Sequence, residues 1–512
     1  MFKQAWISTG TALALGSLLA SPMASAQTTP VWAVQPATQA RVVIDPNTTI
    51  RPQLPRTLFS FNMRYSQFDK ELWDRSASKV KQPITDALLP MPNIFYRYPG
   101  GILANHFEWE KAALSPADRQ AARRAGGTLD AYPYFGPNEY LGWMQSVQGM
   151  AWWTLNLLGR GDVRYPIELP SATMAESNRK LAQFLKTNNP RQVVWFYQLG
   201  NELDRNRYEW SHAKYVSRSR DSINAILTVD PKARFVAFMR EFDVRYKHTT
   251  TGTSNVQSFF NDVMNGLPMI NDFSVHCYYD GKFSPTSKYQ SIPEQMDHIQ
   301  EALALAKAAR PGNYNVWITE HSKRMLQSGG TSPTPNALDT GISVGDFLLG
   351  VTQIPEVKGA GLQALQGDRS AFFKDTLTGT PAFWALRVLA SQPTLRVLAS
   401  RTSSPNRSGY PGGYDVRAVG SQDWTKNGSL VVSAINHSNQ PTPLEINFAP
   451  FQNATKVVKH YHLSGPAGVD AATVQRTYTI VTVPTPTTKT FSSTGSLTVT
   501  LPPSSVSTIT FE

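Results

Sequence analysis

Cysteine is almost absent. Cys277 is the only one in 512 residues, so no intramolecular disulfide and no cysteine zinc cage can form, and stability must come from an apolar core. Within Phe273-Ser274-Val275-His276-Cys277-Tyr278-Tyr279 this thiol reads as a small packed side chain rather than a nucleophile. Charge is sparse, at 17% of residues, and the 49 Lys and Arg against 37 Asp and Glu leave +12 with no dense basic block or zinc-ligand set. Nucleic-acid binding is therefore not expected. A diffusely basic surface aids solubility and would also favour an acidic polymer at long range. No internal repeat suggests a solenoid or propeller, and we recognise no nucleophile elbow of the serine-hydrolase kind. No cofactor and no metal is expected.

What is present is enough to fold. Hydrophobic residues make up 41% and aromatics 11%, unlike a disordered chain. The length suits one barrel-sized domain and a smaller companion. At the start, Lys3, the short apolar run 12–20 and Ala24-Ser25-Ala26 have the form of a secretory leader cut before Gln27. Its apolar run is too short to span a membrane, and no later run approaches the ~20 apolar residues a span needs. The expected mature protein is secreted or periplasmic. Its charge is +11 once Lys3, the leader's only charged residue, is lost.

The middle of the chain alternates short apolar or aromatic runs with longer amphipathic ones. Strand candidates lie at 57–61, 94–98, 151–157, 192–199, 234–238, 272–278, 315–319 and 359–365, with helical patterns such as 177–187, 215–226 and 293–309 between them. Eight strands alternating with helices predict a closed parallel (β/α)8 TIM barrel. Past about Leu398 the texture becomes Ser, Thr, Pro and Gly with short alternating strands, an additional all-β sandwich domain. The expected divisions are a leader at 1–26, a linker and sandwich-joining strand at 27–50, the barrel at 51–395 and the sandwich at 396–512.

Barrel enzymes carry their reacting groups at the C-terminal ends of the strands. Two candidate strands end in a glutamate: the run 193–200 leads into Asn201-Glu202, and Val316-Trp317-Ile318-Thr319 into Glu320. One strand-end carboxylate alone is usually an ion-pair partner. Two on non-adjacent strands of one mouth could face each other across a sugar, one protonating the leaving oxygen and the other stabilising or attacking the anomeric carbon. Arg97, His276 and Tyr278 at other strand ends would bind the sugar. Trp109, Tyr134 and Trp210 are candidate stacking platforms for sugar faces, whereas Trp152 and Trp153, inside a strand run, read as core. A second Asn-Glu pair, Asn138-Glu139, lies in a Gly/Pro/Tyr-rich loop and is set aside.

These segments resemble the clan A retaining glycoside hydrolases, most closely the group of family 51 α-L-arabinofuranosidases, family 39 xylosidases and family 79 glucuronidases. The resemblance rests on Arg97-Tyr98-Pro99-Gly100-Gly101, Gly200-Asn201-Glu202, His276-Cys277-Tyr278, Thr319-Glu320 and the closing 499–506, and spans about residues 40 to 512. It implies Glu202 as general acid/base, Glu320 as nucleophile, Asn201 as the partner of the sugar 2-hydroxyl, and Tyr278 as the residue orienting the nucleophile. The chain departs from the family 51 pattern at Ile102 and at His321-Ser322, where that family usually has Asn and Trp-Asn, so sugar identity stays open. Lys323 and Arg324 follow the nucleophile and could hold a uronate carboxylate, although solvated loop charges are the plainer reading. The resulting expectation is a secreted glycoside hydrolase acting on a polysaccharide, with an acidic polymer or one containing arabinose, xylose or uronate as the candidate substrates. The competing expectation is a catalytically inactive carbohydrate-binding or cell-surface protein on the same fold.

Overall fold

The computed structural model describes residues 29–63, 72–119, 135–161, 165–188, 196–203, 208, 210–238, 252–279, 291–323, 336–365, 371–391, 395–407, 413–423 and 428–512. The leader, Tyr134, Arg324 and the first half of the expected strand 192–199 lie outside them. The first long strand, β1 (Ala40–Arg51), belongs to the C-terminal sheet. Eight strands then follow: β2 (Ser60–Asn62), β3 (Phe95–Tyr98), β4 (Met150–Leu155), β5 (Phe196–Leu199), β6 (Phe235–Phe238), β7 (Asp272–Tyr279), β8 (Asn315–Lys323) and β9 (Val357–Gln363). They pair in sequence order, all parallel, and close when β2 meets β9. After each strand comes a helix: α1 (Gln82–Leu88), α2 (Pro137–Ser146), α3 (Ser171–Asn188), α4 (His212–Leu227), α5 (Gly252–Gly266), α6 (Ile292–Ala309), α7 (Leu338–Thr352) and α8 (Pro381–Leu389). This is the expected (β/α)8 barrel. Its first strand is shorter and later than 57–61, because Arg56–Phe59 forms a 3-10 turn. A continuous apolar run does not distinguish the two.

Phe95, Trp152, Phe196, Val236 and Trp317 form one buried cluster inside the barrel, a plug that makes the barrel a packed core and not a pore. Strand side chains alternate faces, so the next inward positions are Asn62, Arg97, Gln198, His276 and Gln363, all buried. Strand β8 breaks the alternation. Val275 pairs Ile318 but His276 pairs Glu320, an extra residue at Thr319. Strict alternation from Trp317 would turn Glu320 outward; the bulge resets the phase and sends it inward.

Strands β10 (Leu395–Ser404), β11 (Val416–Asp423), β12 (Leu430–Asn436), β13 (Thr442–Asn447), β14 (Thr455–Ser464), β15 (Ser496–Leu501) and β16 (Ser505–Phe511) join β1 and short strands at Gln35–Pro36, Thr479–Val481 and Thr487–Thr490 in one hydrogen-bonded sheet. The path runs β14-β16-β12-β11-β10-β1-β13-β15. Aromatic contacts run from Phe448 after β13 through Phe451 and Phe491 to Phe511 on β16. Strands far apart in the hydrogen-bonding order therefore share one core, so the sheet folds over on itself as a sandwich. Strand β1 pairs antiparallel with β10 and parallel with β13, so both ends of the described chain build this layer.

Helix α7 joins the layers. A Cβ on Gly345 would stand 2.9 Å from Ile435 Cδ1, and one on Gly341 would stand 2.5 Å from the Pro381 carbonyl oxygen, so both glycines permit close approach. The buried Arg51 donates to the carbonyls of Val351 and Thr352 at the C-terminal end of α7 and of Ile354 and Val357 just beyond it, where the helix dipole favours a cation. Asp346, on the sheet-facing side of α7, accepts from Arg417 Nε at 2.6 Å, Tyr414 Oη at 2.8 Å and His437 Nε2 at 2.9 Å. Among the described residues no helix is long and apolar enough to cross a membrane.

Candidate active site

The C-terminal ends of β3, β5, β7 and β8 bring Arg97, Asn201, Glu202, His276, Tyr278 and Glu320 together. Glu320 Oε1 accepts from Arg97 Nη1 at 2.8 Å, and its Oε2 accepts from Tyr278 Oη at 2.6 Å. Both carboxylates are almost fully buried, at 5% exposure for Glu202 and 3% for Glu320. His276 Nδ1 lies 2.7 Å from Glu202 Oε1 and 3.7 Å from Glu320 Oε2. One oxygen from each glutamate and one histidine nitrogen all lie within 4.8 Å of one another.

Arg97 organises the floor, reaching Gln198 Oε1 and Asn62 Oδ1 at 2.8 Å and donating to Asn201 Oδ1. Burial pulls its guanidinium below the ordinary arginine value, against the charge of Glu320. Burial also works against a charged His276, but Glu320 and the hydrogen bond to Glu202 outweigh it and push its pKa above the ordinary histidine value. Two carboxylates and a histidine could hold a cation by geometry. The guanidinium 2.8 Å from Glu320 and the favoured imidazolium already supply positive charge, and they oppose a metal there. Within this cluster, Asn201 Nδ2 and His276 Nε2 have no hydrogen-bond partner among the described residues. Buried donors of this kind can bond a ligand or water.

Backbone geometry presents these groups. Gly200 has φ 76° and Glu202 φ 50°, so the chain turns sharply at the end of β5. After β3, a Cβ on Gly100 would stand 2.3 Å from Asn62 Oδ1, which gives the Pro-Gly-Gly segment a packing reason.

Of the residues expected to bind sugar, His276 lies between the carboxylates and Tyr278 donates to Glu320. The two tryptophans differ from expectation. Trp109 donates through Nε1 to Ser177 at 3.1 Å and packs on Phe184, both on α3. Trp210 is buried with Lys214 and Arg218 over its ring. Their surroundings assign both to packing, because each large ring has found apolar or cationic cover. Asn138-Glu139 lies on α2 and not in a loop; Glu139 accepts from Gly136 N at 2.8 Å and pairs with Arg119 at 2.5 Å, closing the helix start. Lys323 pairs with Asp339 on α7 and is largely buried, so it is not a solvated loop charge. His321 stacks on Phe347 of α7, and burial brings its pKa down to about 3, so it stays neutral. Gly341-Ile342-Ser343-Val344-Gly345 spells a Gly-x-Ser-x-Gly pattern that the sequence reading passed over. It lies inside α7, with Ser343 buried, not at the strand-to-helix turn an elbow requires. The reading also missed Asn62, Gln198 and Gln363; Gln198, a polar residue in the run Phe196-Tyr197-Gln198-Leu199, was the available signal.

Solved structures supply a comparison. An α-L-arabinofuranosidase from Thermotoga maritima, in complex with arabinose, matches with a TM-score of 0.70 at 16% identity, covering 92% of this chain and 99% of that one. The GH51 arabinofuranosidase from Xanthomonas axonopodis pv. citri matches with a TM-score of 0.70 at 16% identity over 93% and 100%. A glucosidase from Croceicoccus marinus matches with a TM-score of 0.57 at 10% identity over 93% and 99%. The chain shares their fold. No protein-family model matches it, and no curated protein matches at a significant level. At such identities the likeness covers the barrel-plus-sandwich architecture, and function must be argued from the site.

Proposed function

We propose that the protein is a retaining glycoside hydrolase. The observation that carries the proposal is the facing of Glu202 and Glu320, with oxygens within 4.8 Å of each other. That approach suits a retaining pair, whose carboxyl groups stand about 5 to 5.5 Å apart, better than an inverting pair at about 6.5 to 9.5 Å. Glu320, bonded to Arg97 and Tyr278, is suited to be the ionised nucleophile. It attacks the anomeric carbon as the glycosidic C–O bond breaks, and Glu202 gives its proton to the departing oxygen. Glu202, now a carboxylate, takes a proton from water, whose oxygen attacks the same carbon and releases Glu320. His276 Nδ1 sits beside both groups, 2.7 Å from Glu202 Oε1 and 3.7 Å from Glu320 Oε2. Asn201 Nδ2, without a hydrogen-bond partner among the described residues, is the donor we assign to a sugar hydroxyl.

The substrate class we propose is an oligosaccharide or polysaccharide. The matched structures are named for arabinofuranosidases and a glucosidase, so the sugar is left to experiment. The leader pattern at 1–26 supports export with a mature start at Gln27, which N-terminal sequencing of exported protein would contradict by finding Met1. Activity is tested on a panel of aryl glycosides against Glu202→Gln. Hydrolysis that is lost selectively on poor leaving groups supports the reading. Sugar binding without turnover across the panel would instead mark a binding protein.

A further inference from the structure

Glu202 must aim a buried carboxyl from a backbone that does not favour it. Its φ of 50° is left-handed, a region that L side chains avoid because Cβ crowds the following carbonyl. Such a conformation persists only where the surroundings over-determine it. The device that fixes it lies on another element. The 3-10 turn Ile102–His106 follows β3, and its Asn105, fully buried, lies beside Asn201. Asn105 Oδ1 accepts from Asn201 N at 3.0 Å, and Asn105 Nδ2 donates to Asn201 O at 2.6 Å. One side-chain amide thus satisfies both main-chain groups of the residue before Glu202, as a strand partner would. The next residue extends the tie: His106 Nε2 lies 2.7 Å from Tyr208 Oη, in the segment after Glu202.

We infer that Asn105 is a positioning residue for the proton donor, clamping the Asn201 peptide so that the turn aims Glu202 at the leaving oxygen. This rests on the proposed role of Glu202 and deepens it. Asn105 touches no reacting atom; it acts through the Asn201 backbone. An ordinary buried asparagine would, on removal, lower stability and affect all substrates alike. A positioning asparagine affects the step in which Glu202 gives its proton, and therefore the leaving groups that need one.

The test compares Asn105→Ala, Asn105→Asp and Glu202→Gln in the full chain. The substrates are a dinitrophenyl and an unsubstituted phenyl glycoside of whichever sugar the parent turns over fastest. Asn105→Asp preserves shape and the bond from Asn201 N while losing the donor to Asn201 O, so it keeps the test open if Asn105→Ala does not fold. The expected result is a fall of about 100-fold in kcat/KM on the phenyl substrate, the scale of a roughly 1 Å misplacement. The dinitrophenyl substrate should stay within about threefold of the parent, with Asn105→Asp lying between parent and Asn105→Ala. Equal losses on both substrates, or none, while Glu202→Gln does discriminate, overturn the role of Asn105 alone. If Glu202→Gln fails to discriminate, the underlying reading falls and this inference with it.

Discussion

At the barrel mouth, Arg97, Tyr278 and His276 surround the carboxylate of Glu320; between α7 and the sheet, Arg417, Tyr414 and His437 surround that of Asp346. The side-chain types are the same and all four acid and histidine groups are buried. The interface cluster satisfies its single acid: Asp346 accepts from three side chains, and Arg417 further donates to Trp32 O and Tyr414 Oη. The mouth cluster has a second carboxylate, and among the described residues Asn201 Nδ2 and His276 Nε2 have no partner there. A filled network holds two layers together, whereas an unfilled one has donors to spend on a ligand. The histidines differ in the same sense. Burial brings His437 below the ordinary histidine value despite Asp346, whereas two carboxylates carry His276 above it.

The largest effect that would separate the clusters is on turnover. Glu320→Gln is expected to lower kcat by about 10^4-fold or more on every substrate, measured against the folded fraction from circular dichroism. Asp346→Asn should do the reverse. Breaking a buried pair leaves Arg417 uncompensated and costs about 3–5 kcal/mol, read from urea unfolding, with kcat/KM per folded molecule unchanged. Activity loss in that variant would mean the interface cluster is coupled to the site.

A smaller effect, opposite in sign at the two clusters, should appear in stability against pH. The raised pKa of His276 gives a contribution that is complete below the ordinary value of about 6.5 and is lost as pH rises through the raised one. His437 has a depressed pKa, so stability is lost as pH falls through about 6.5, where the unfolded chain takes up a proton that the folded chain resists. Asp346, held down to about 2 because Arg417 and His437 outweigh its burial, adds a contribution lost only as pH falls from the ordinary carboxylate range through about 2. Unfolding midpoints across pH should therefore flatten on the alkaline side in His276→Gln and on the acid side in His437→Gln. The same flank flattening in both variants would break the contrast.

Much of the architecture was legible because barrel strands buried on both faces read as continuous apolar or aromatic runs, and because Glu202 and Glu320 end two such runs. The rest was set by contacts between distant segments. Trp109 and Trp210 resemble sugar platforms in a sequence, and only the Ser177 and Phe184 contacts and the Lys214 and Arg218 cover show them to be packed. The bulge that turns Glu320 inward has no local signature in Ile318-Thr319-Glu320. Asn105 was equally silent, since its partner is 96 residues away.

The smallest expected effects test two charges the sequence singled out. Glu139→Gln weakens a helix start and its Arg119 pair, costing about 1 kcal/mol with no change in kinetics, by urea unfolding and aryl glycoside assay. Lys323→Ala, which removes a partner of Asp339, should leave the ratio of acidic to neutral polymer turnover unchanged; a fall in that ratio would return Lys323 to the substrate.

The central claim is that the unfilled cluster is a retaining pair. It is tested most directly by following the anomeric proton of the first-formed sugar by NMR while the enzyme hydrolyses its best aryl glycoside. The account predicts a product whose initial anomeric configuration is that of the substrate, appearing before mutarotation. An initial product of opposite configuration would contradict it.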